Sequence, residues 1–373
     1  MPVKITALKE TRPNEKRVAL VPSVAARLQK LNVELHLAAG AGESARIPDS
    51  AYSDVDIKVD DGELSSADIV LAVQPLTTEQ VAQLREGTIV FSHVHAHKEV
   101  ELVKALRDRK ITCFAMELVP RITRAQAMDA LSSQAALAGY WAAIHGATEL
   151  ARILPMMTTA VGSLRPAKCL VMGCGVAGLQ AIATARRLGA MVEGYDVRSA
   201  AAEQVQSLGA KFVDTGVKAE GEGGYARELT DEEKAKVAEV VTKHIQAADI
   251  LITTAAIPGR PSPKIVSKAQ IEGMKPGAVI VDLAAEGGGN TDLTQPGETI
   301  KVGQVTISAP LNVPSKLAEH ASELYAKNLV NFLELIVVDG EIKLDWEDEV
   351  QAKSCLTHAG EIKNEAAAKA VAG

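Results

Sequence analysis

Short β-branched runs alternate with helical patterns from the first residues of the chain. Val3–Ala7 and residues 33–37, 69–73, 88–91 and 111–115 read as strands, and residues 22–31, 79–84 and 99–109 carry apolar positions at helical spacing. A strand–helix–strand succession implies a parallel sheet with right-handed crossovers. Gly40, Gly42 and Pro48 punctuate a loop between units. The pattern changes near Gln126. Residues 129–154 are Ala-rich and free of proline, which predicts one helix of roughly six or seven turns, ending before Pro155. A second series follows, with strands at 169–172, Met191–Tyr195, 250–254, 278–283 and Val305–Ser308 and helices at 176–188 and 200–208. A last helical stretch, 317–338, is placed to return the chain to its first lobe. The expected fold is α/β, two Rossmann-like doubly wound lobes with parallel sheets joined by long helices. Residues 1–128 plus 317–373 would form the N-terminal lobe and 129–316 the second lobe. Ala67-Asp68-Ile69-Val70-Leu71 is echoed by Ala248-Asp249-Ile250-Leu251-Ile252; either two similar lobes or chance produces such a pair.

Composition narrows the function classes. Of 373 residues, 47% are apolar but only 3% aromatic, so the core must be Ala, Val, Leu and Ile, as in buried parallel sheets flanked by helices. Lys plus Arg is 40 against 47 Asp plus Glu, a formal charge of −7, and no region is basic enough for a nucleic-acid footprint. Cys113, Cys169, Cys174 and Cys355 form no CxxC, which argues against a disulfide scaffold or a zinc site. No stretch approaches a membrane span, and Lys4, Lys9 and Glu10 stand where a secretory signal needs apolar residues. An intracellular chain is expected.

The strongest constellation is Gly173-Cys174-Gly175-Val176-Ala-Gly178, set between a strand and an Ala-rich helix. In G-x-G-x-x-G the first glycine permits a tight turn, the second lets backbone approach a pyrophosphate, and the third lets the helix pack closely on the strand. Asp196, at the end of the next strand, is placed to accept hydrogen bonds from the adenosine ribose, and its charge favours NAD(H) over NADP(H). Arg198 is a counter-signal, since it suits an extra phosphate. His93, His95 and His97 would share one strand face and supply a general acid or base, a metal site or a solvated cluster. Arg121 precedes a stretch in which Gln126, Asp129 and Ser133 would line one helix side. That suits either the polar edge of a crevice or an exposed amphipathic helix start. Residues 215–230, glycine-rich around Tyr225, read as a lid or a mobile excursion.

The run VPRITRAQAMDALSSQAALAGYWAAI, the fingerprint MGCGVAGLQAIATARRLGA and the blocks EGGYARE, ITTAAIPGRP and VIVDLAAEGGGN resemble the proton-translocating NAD(P) transhydrogenases over nearly the whole chain. The likeness is to their NAD(H)-binding component. It implies a homodimer that holds NAD(H) in the cleft between lobes and passes hydride to or from NADP(H) on a beta subunit, while membrane-spanning subunits couple the transfer to proton movement. Such an oxidoreductase and translocase component needs its partners for full activity. It would be cytoplasmic, peripheral to the bacterial inner membrane through those partners. The resemblance places Arg121, Gln126 and Asp129 beside the nicotinamide, with Gln126 orienting the ring or its ribose and Arg121 and Asp129 setting the local charge. It assigns cofactor contacts to Ile122, Thr123 and Ser132, to Gly173, Cys174, Gly175, Val176 and Gly178, to Asp196, Val197 and Arg198, to Gly224 and Tyr225 of the closing loop, and to Ala256. Catalysis would then be proximity and orientation, with no acid or base required. The fold also resembles alanine dehydrogenase. Arg17 and His95 stand where that family has its substrate arginine and catalytic histidine, but Gln74 replaces a lysine whose charge would polarise the carbonyl.

Overall fold

The structure is a computed structural model and describes residues 2–217, 230–257 and 260–372. Gly224 and Tyr225 lie outside the described residues. The chain divides into two compact units, Met1–Gln134 with Pro314–Gly373, and Ala135–Val313.

The first unit is built on an eight-stranded sheet. From one edge its strands are Glu361–Ile362, Cys355–His358, Thr112–Ala115, Ile89–Ser92, Ile69–Leu71, Val3–Ala7, Val33–Ala38 and Lys58–Asp60. The six that come first in sequence are mutually parallel, and Ile5 sits opposite both Leu35 and Ile69. Their order is the 3-2-1-4-5-6 of a doubly wound sheet. Cys355–His358 adds an antiparallel strand beside Thr112–Ala115. Ile69–Leu71 is buried throughout, as a central strand covered on both faces must be. The helix Ala318–Ile336 covers one face, and its Phe332 ring meets Phe91 and Phe114 at 5.0 Å. Truncating a buried Phe of this kind costs about 3–5 kcal/mol. Tyr325 of the same helix is fully buried and donates its hydroxyl to the Ala72 carbonyl at 2.8 Å.

The second unit repeats the plan. Its seven strands run Lys211–Phe212, Met191–Tyr195, Lys168–Met172, Ile250–Thr253, Val279–Asp282, Val305–Ser308 and Thr299–Val302, the last antiparallel. The echo of Asp68 and Asp249 is structural. Asp68 Oδ2 accepts from the Lys4 N–H and Asp249 Oδ2 from the Lys168 N–H, each at 2.8 Å. Each aspartate thus ties the start of its own strand to the start of the first strand of its sheet. The side chain of Asp249 is 4% exposed and also holds Arg152 and Lys275 at 2.6 and 3.0 Å.

Several elements depart from what the sequence pattern predicts. The long helix spans Ala130–Glu149, not 129–154. It stops early because Leu150 and Leu154 turn into the second unit's core and Arg152 reaches Asp249. A two-stranded hairpin, Met157–Thr159 with Gly162–Leu164, follows it and is exposed throughout. The helix Asp231–Ala247 has no counterpart in the predicted elements, although Thr230 and Glu233 form a capping box at its start. Among the described residues no helix is long and apolar enough to cross a membrane.

Candidate functional site

In the second unit, Lys168–Met172 ends where its neighbours Met191–Tyr195 and Ile250–Thr253 lie on opposite sides. Such a switch point is where doubly wound sheets bind ligands. The three glycines differ in the space around them. Gly173 turns at φ +94°, and a Cβ there would lie 2.7 Å from Thr254 Oγ1. The Thr254 hydroxyl donates to the Gly173 carbonyl at 2.7 Å. A Cβ on Gly178 would lie 1.8 Å from that same oxygen, so the helix Val176–Arg187 approaches the strand end too closely for any side chain. A Cβ on Gly175 would meet nothing within 4 Å. Open space therefore lies in front of a helix whose start has no side-chain cap. Its free N–H groups and positive dipole end suit a phosphate.

Asp196 is tied to the fingerprint itself. Its Oδ2 accepts from the Cys174 N–H at 2.8 Å and from Arg198 Nη2 at 3.0 Å, and its Oδ1 from the Arg198 N–H and Nε, both at 2.9 Å. Burial opposes ionisation, but the Arg198 side-chain and backbone hydrogen bonds outweigh it and hold the carboxyl below its ordinary range. The carboxylate is thus filled from within the chain. Of the two partners, Arg198 is half exposed and Cys174 is buried, so the Arg198 side chain is the one a ligand could displace. Val197 is exposed. The Cys174 thiol, pushed up to about 12 chiefly by burial, packs against the Tyr195 carbonyl and has no reactive character.

Asn290, which the sequence pattern does not single out, shapes the loop after Ile250–Thr253. Its amide accepts from the Ala255 N–H at 2.9 Å and donates to the Ala255 and Pro263 carbonyls at 2.7 and 2.9 Å. Buried Asp282 holds Asn290 in turn, accepting from its N–H at 2.7 Å and from the Thr294 hydroxyl at 2.6 Å. Gly289, at φ +81°, leaves no room for a Cβ between Thr294 and Asp282. The available signal is the run of three glycines between an aspartate and an asparagine. Ala256 lies exposed just beyond this brace.

In the first unit the stretch from Arg121 is not one helix. Thr123–Met128 is a 3-10 turn, and Asp129, at ψ 88°, breaks it from the helix that begins at Ala130. Gln126, Asp129 and Ser133 therefore do not share a helix face. Asp129 acts as a cap, accepting from the Ser132 N–H at 2.9 Å and its hydroxyl at 2.6 Å. Ser133 instead pairs with Asn328 at 2.7 Å. Ile122 packs on the core, while Arg121, Thr123 and Gln126 are exposed or partly so. Among the described residues the Arg121 and Gln126 side chains make no hydrogen bond.

The switch point of the first sheet is closed by the chain itself. Glu10 takes the N–H groups of Val73 and Gln74, and burial, against the Val73 bond, pushes its carboxyl up to about 7. Arg17 is 5% exposed and spends Nε and Nη2 on Glu15 at 2.8 and 2.6 Å and Nη1 on Gln134 at 3.0 Å. Gln74 and Ser315 also donate to Glu15, at 2.7 and 2.6 Å. Burial raises Glu15, but the hydrogen bond and charge of Arg17 outweigh it and leave the carboxyl at about 2. The three histidines do not alternate on a strand. Ile89–Ser92 ends before them and His95 sits at φ +53°. The His93 and His95 rings still stack at 5.8 Å, while His97 is exposed. Among the described residues no group of three His, Cys, Asp or Glu side chains is arranged to hold a metal ion.

The chain matches two family descriptions in tandem. Alanine dehydrogenase/PNT, N-terminal domain, covers residues 6–138 and alanine dehydrogenase/PNT, C-terminal domain, residues 142–365. It is 48% identical to the first part of the NAD(P) transhydrogenase alpha subunit of Rhodospirillum rubrum, over 96% of this chain and 97% of the relative. The solved structure of transhydrogenase from Sinorhizobium meliloti superposes with a TM-score of 0.88 at 46% identity, covering 96% of this chain and 99% of that one. Alanine dehydrogenase of Mycolicibacterium smegmatis is 28% identical, over 96% and 94% of the two chains. The chain belongs to the alanine dehydrogenase/PNT family, among the relatives of the NAD(P) transhydrogenase alpha subunit's first part.

Proposed function

We propose that this chain binds NAD(H) on the fingerprint of its second unit and exchanges hydride with NADP(H) held by a partner beta subunit, with proton movement through membrane-spanning subunits. The observation that carries the reading is the contrast among the glycines. Gly173 and Gly178 are packed against protein, whereas Gly175 faces open space before an uncapped helix start. Asp196 adds the carboxylate that accepts ribose hydroxyls and repels a ribose phosphate, which favours NAD(H) here. The roles beside the nicotinamide that the resemblance gives Arg121, Gln126, Asp129 and Ser132 belong to the same proposal. Gln126, exposed and uncommitted, orients the ring or its ribose. Asp129 does so indirectly, by fixing the helix start. Among the described residues no helix is long and apolar enough to cross a membrane, so in this reading proton coupling resides in membrane-spanning partner chains, with this chain peripheral to them on the cytoplasmic side. A homodimer is part of the proposal, and the exposed apolar side chains of Met156, Met157, Val161 and Leu164 on the hairpin arm favour it.

Amino-acid dehydrogenation is the less favoured reading. Gln74 is neutral and bonded to Glu15, and Arg17 is committed to Glu15 and Gln134. The deciding assay supplies the purified chain with NADH and an NADP analogue, with and without a recombinant NADP-binding partner. Reduction of the analogue is expected only with the partner present. Turnover of alanine with NAD by the chain alone would overturn the proposal.

A further inference from the structure

A cavity of about 250 Å3 lies within the first unit, where the loop after Glu15, the 3-10 turn Glu43–Ala45 and the start of the helix Ala318–Ile336 meet. Lys16, Arg46, Lys316 and His320 line it, together with Ser44 and Glu319. Several cations elsewhere in the same unit find acidic partners, as Arg12 does with Glu99, Arg27 with Glu334 and Arg124 with Asp348, whereas others such as Arg121 stand singly. Here, among the described residues, the Lys16, Arg46 and Lys316 side chains make no ion pair and no hydrogen bond. Three unpaired cations around one cavity, against a single Glu319, stand out in a chain of net charge −7. They repel one another unless an anion comes between them.

Hydrogen bonds within the chain hold the wall beside Lys16. Buried Ser315 donates its hydroxyl to Glu15 at 2.6 Å and accepts from the Lys16 N–H at 3.1 Å. Arg46 holds φ +64°, a backbone conformation that glycine would adopt at lower cost. A side chain kept at such a position points to a use for that side chain. The 19-residue helix at the cavity has no side-chain cap, so its first N–H groups and dipole add to the positive potential.

We infer that this cavity is a binding site for a small phosphate-bearing anion: inorganic phosphate, pyrophosphate or a short phosphate ester. A guanidinium offers its two-pronged fork to phosphate oxygens, and ammonium groups add point charges around a tetrahedral dianion. The volume lies below the ~300–1,000 Å3 of sites for drug-sized ligands, which suits a small anion better than a whole nucleotide. All the lining residues belong to the first unit, whereas the nucleotide fingerprint belongs to the second.

The test is calorimetric titration of the full chain with inorganic phosphate and, separately, pyrophosphate, in low-chloride buffer, before and after saturation with NADH. One site per chain is expected, unaffected by NADH and weakened by added chloride, since its cations are exposed. Lys316→Gln and Arg46→Asn should each weaken binding about tenfold, the effect of one lost charged hydrogen bond. Asparagine tolerates the left-handed backbone, so the melting temperature of Arg46→Asn without phosphate should match the parent. No heat with either anion, equal affinity in both variants and the parent, or displacement by NADH would each overturn the proposal. The last would put the anion on the fingerprint instead.

Discussion

Gly175 and Gly178 stand three residues apart in one motif, yet adding a methyl group to each should do opposite things. On Gly178 the new Cβ would start 1.8 Å from the Gly173 carbonyl oxygen. Ordinary contact begins near 3.4 Å, so the helix must retreat by 3.4 − 1.8 = 1.6 Å. That oxygen also accepts the Thr254 hydroxyl, so the retreat strains the junction between strand end, helix and neighbouring loop. Overpacking of this kind costs about 3 kcal/mol, which lowers the melting temperature of a unit this size by ~6–12 °C. On Gly175 the methyl meets nothing, and φ −81° with ψ −165° is ordinary for alanine. Alanine is a poorer N-cap than glycine but orders the unfolded chain less expensively, so the net change should stay within about 1 kcal/mol. The Gly175→Ala methyl instead fills the space a pyrophosphate must enter, and NADH affinity should fall at least tenfold, or about 1.4 kcal/mol. Thermal unfolding and NADH fluorescence titration of both variants read the two effects separately. A Gly175→Ala protein that binds NADH like the parent would refute the assignment of that open space to the cofactor.

Other consequences can be measured independently. Asp196→Asn should weaken NADH binding by about 1–3 kcal/mol, through loss of a charged hydrogen bond; an unchanged dissociation constant contradicts the ribose role. Gln126→Asn should slow the hydride step with nearly unchanged NADH affinity, because it alters geometry more than binding, and single-turnover kinetics beside equilibrium titration separate the two. Glu10 is buried with its carboxyl raised from 4.5 to about 7, so its contribution to stability is present below pH 4.5 and is lost as the pH rises to about 7. The loss approaches 2.5 × 1.36, or about 3 kcal/mol. Glu10→Gln should therefore gain stability relative to the parent between pH 5 and 8, and parallel urea-denaturation curves across that range would disprove the burial argument. Val161→Asp with Met156→Ser should shift the light-scattering mass from dimer to monomer, and an intact dimer would remove the hairpin from the interface.

Much of the fold was legible because the strands that matter are buried on both faces and punctuated by glycine. Lys168–Met172 and Val3–Ala7 are largely apolar and buried along their length, and no alternative period competes there. What escaped depended on partners distant in sequence. Cys355–His358 pairs with Thr112–Ala115 across more than two hundred residues, and short mixed segments of that kind carry no pattern of their own. The helix Asp231–Ala247 is a different failure. Its capping box was readable, but its mostly exposed and charged face gives little apolar periodicity.

The candidate site divides the same way. Local sequence by itself specified the glycine turn, the uncapped helix start and the aspartate at the next strand end, because each answers to backbone geometry over a few residues. Tertiary structure alone decided that Asp196 is also held by Cys174, that Asn290 braces the loop after Thr253, and that Glu10 fills the first sheet's switch point. Each of these is a choice among hydrogen-bond partners. Spacing along a chain shows which groups can donate or accept, but burial and proximity determine which of them must meet.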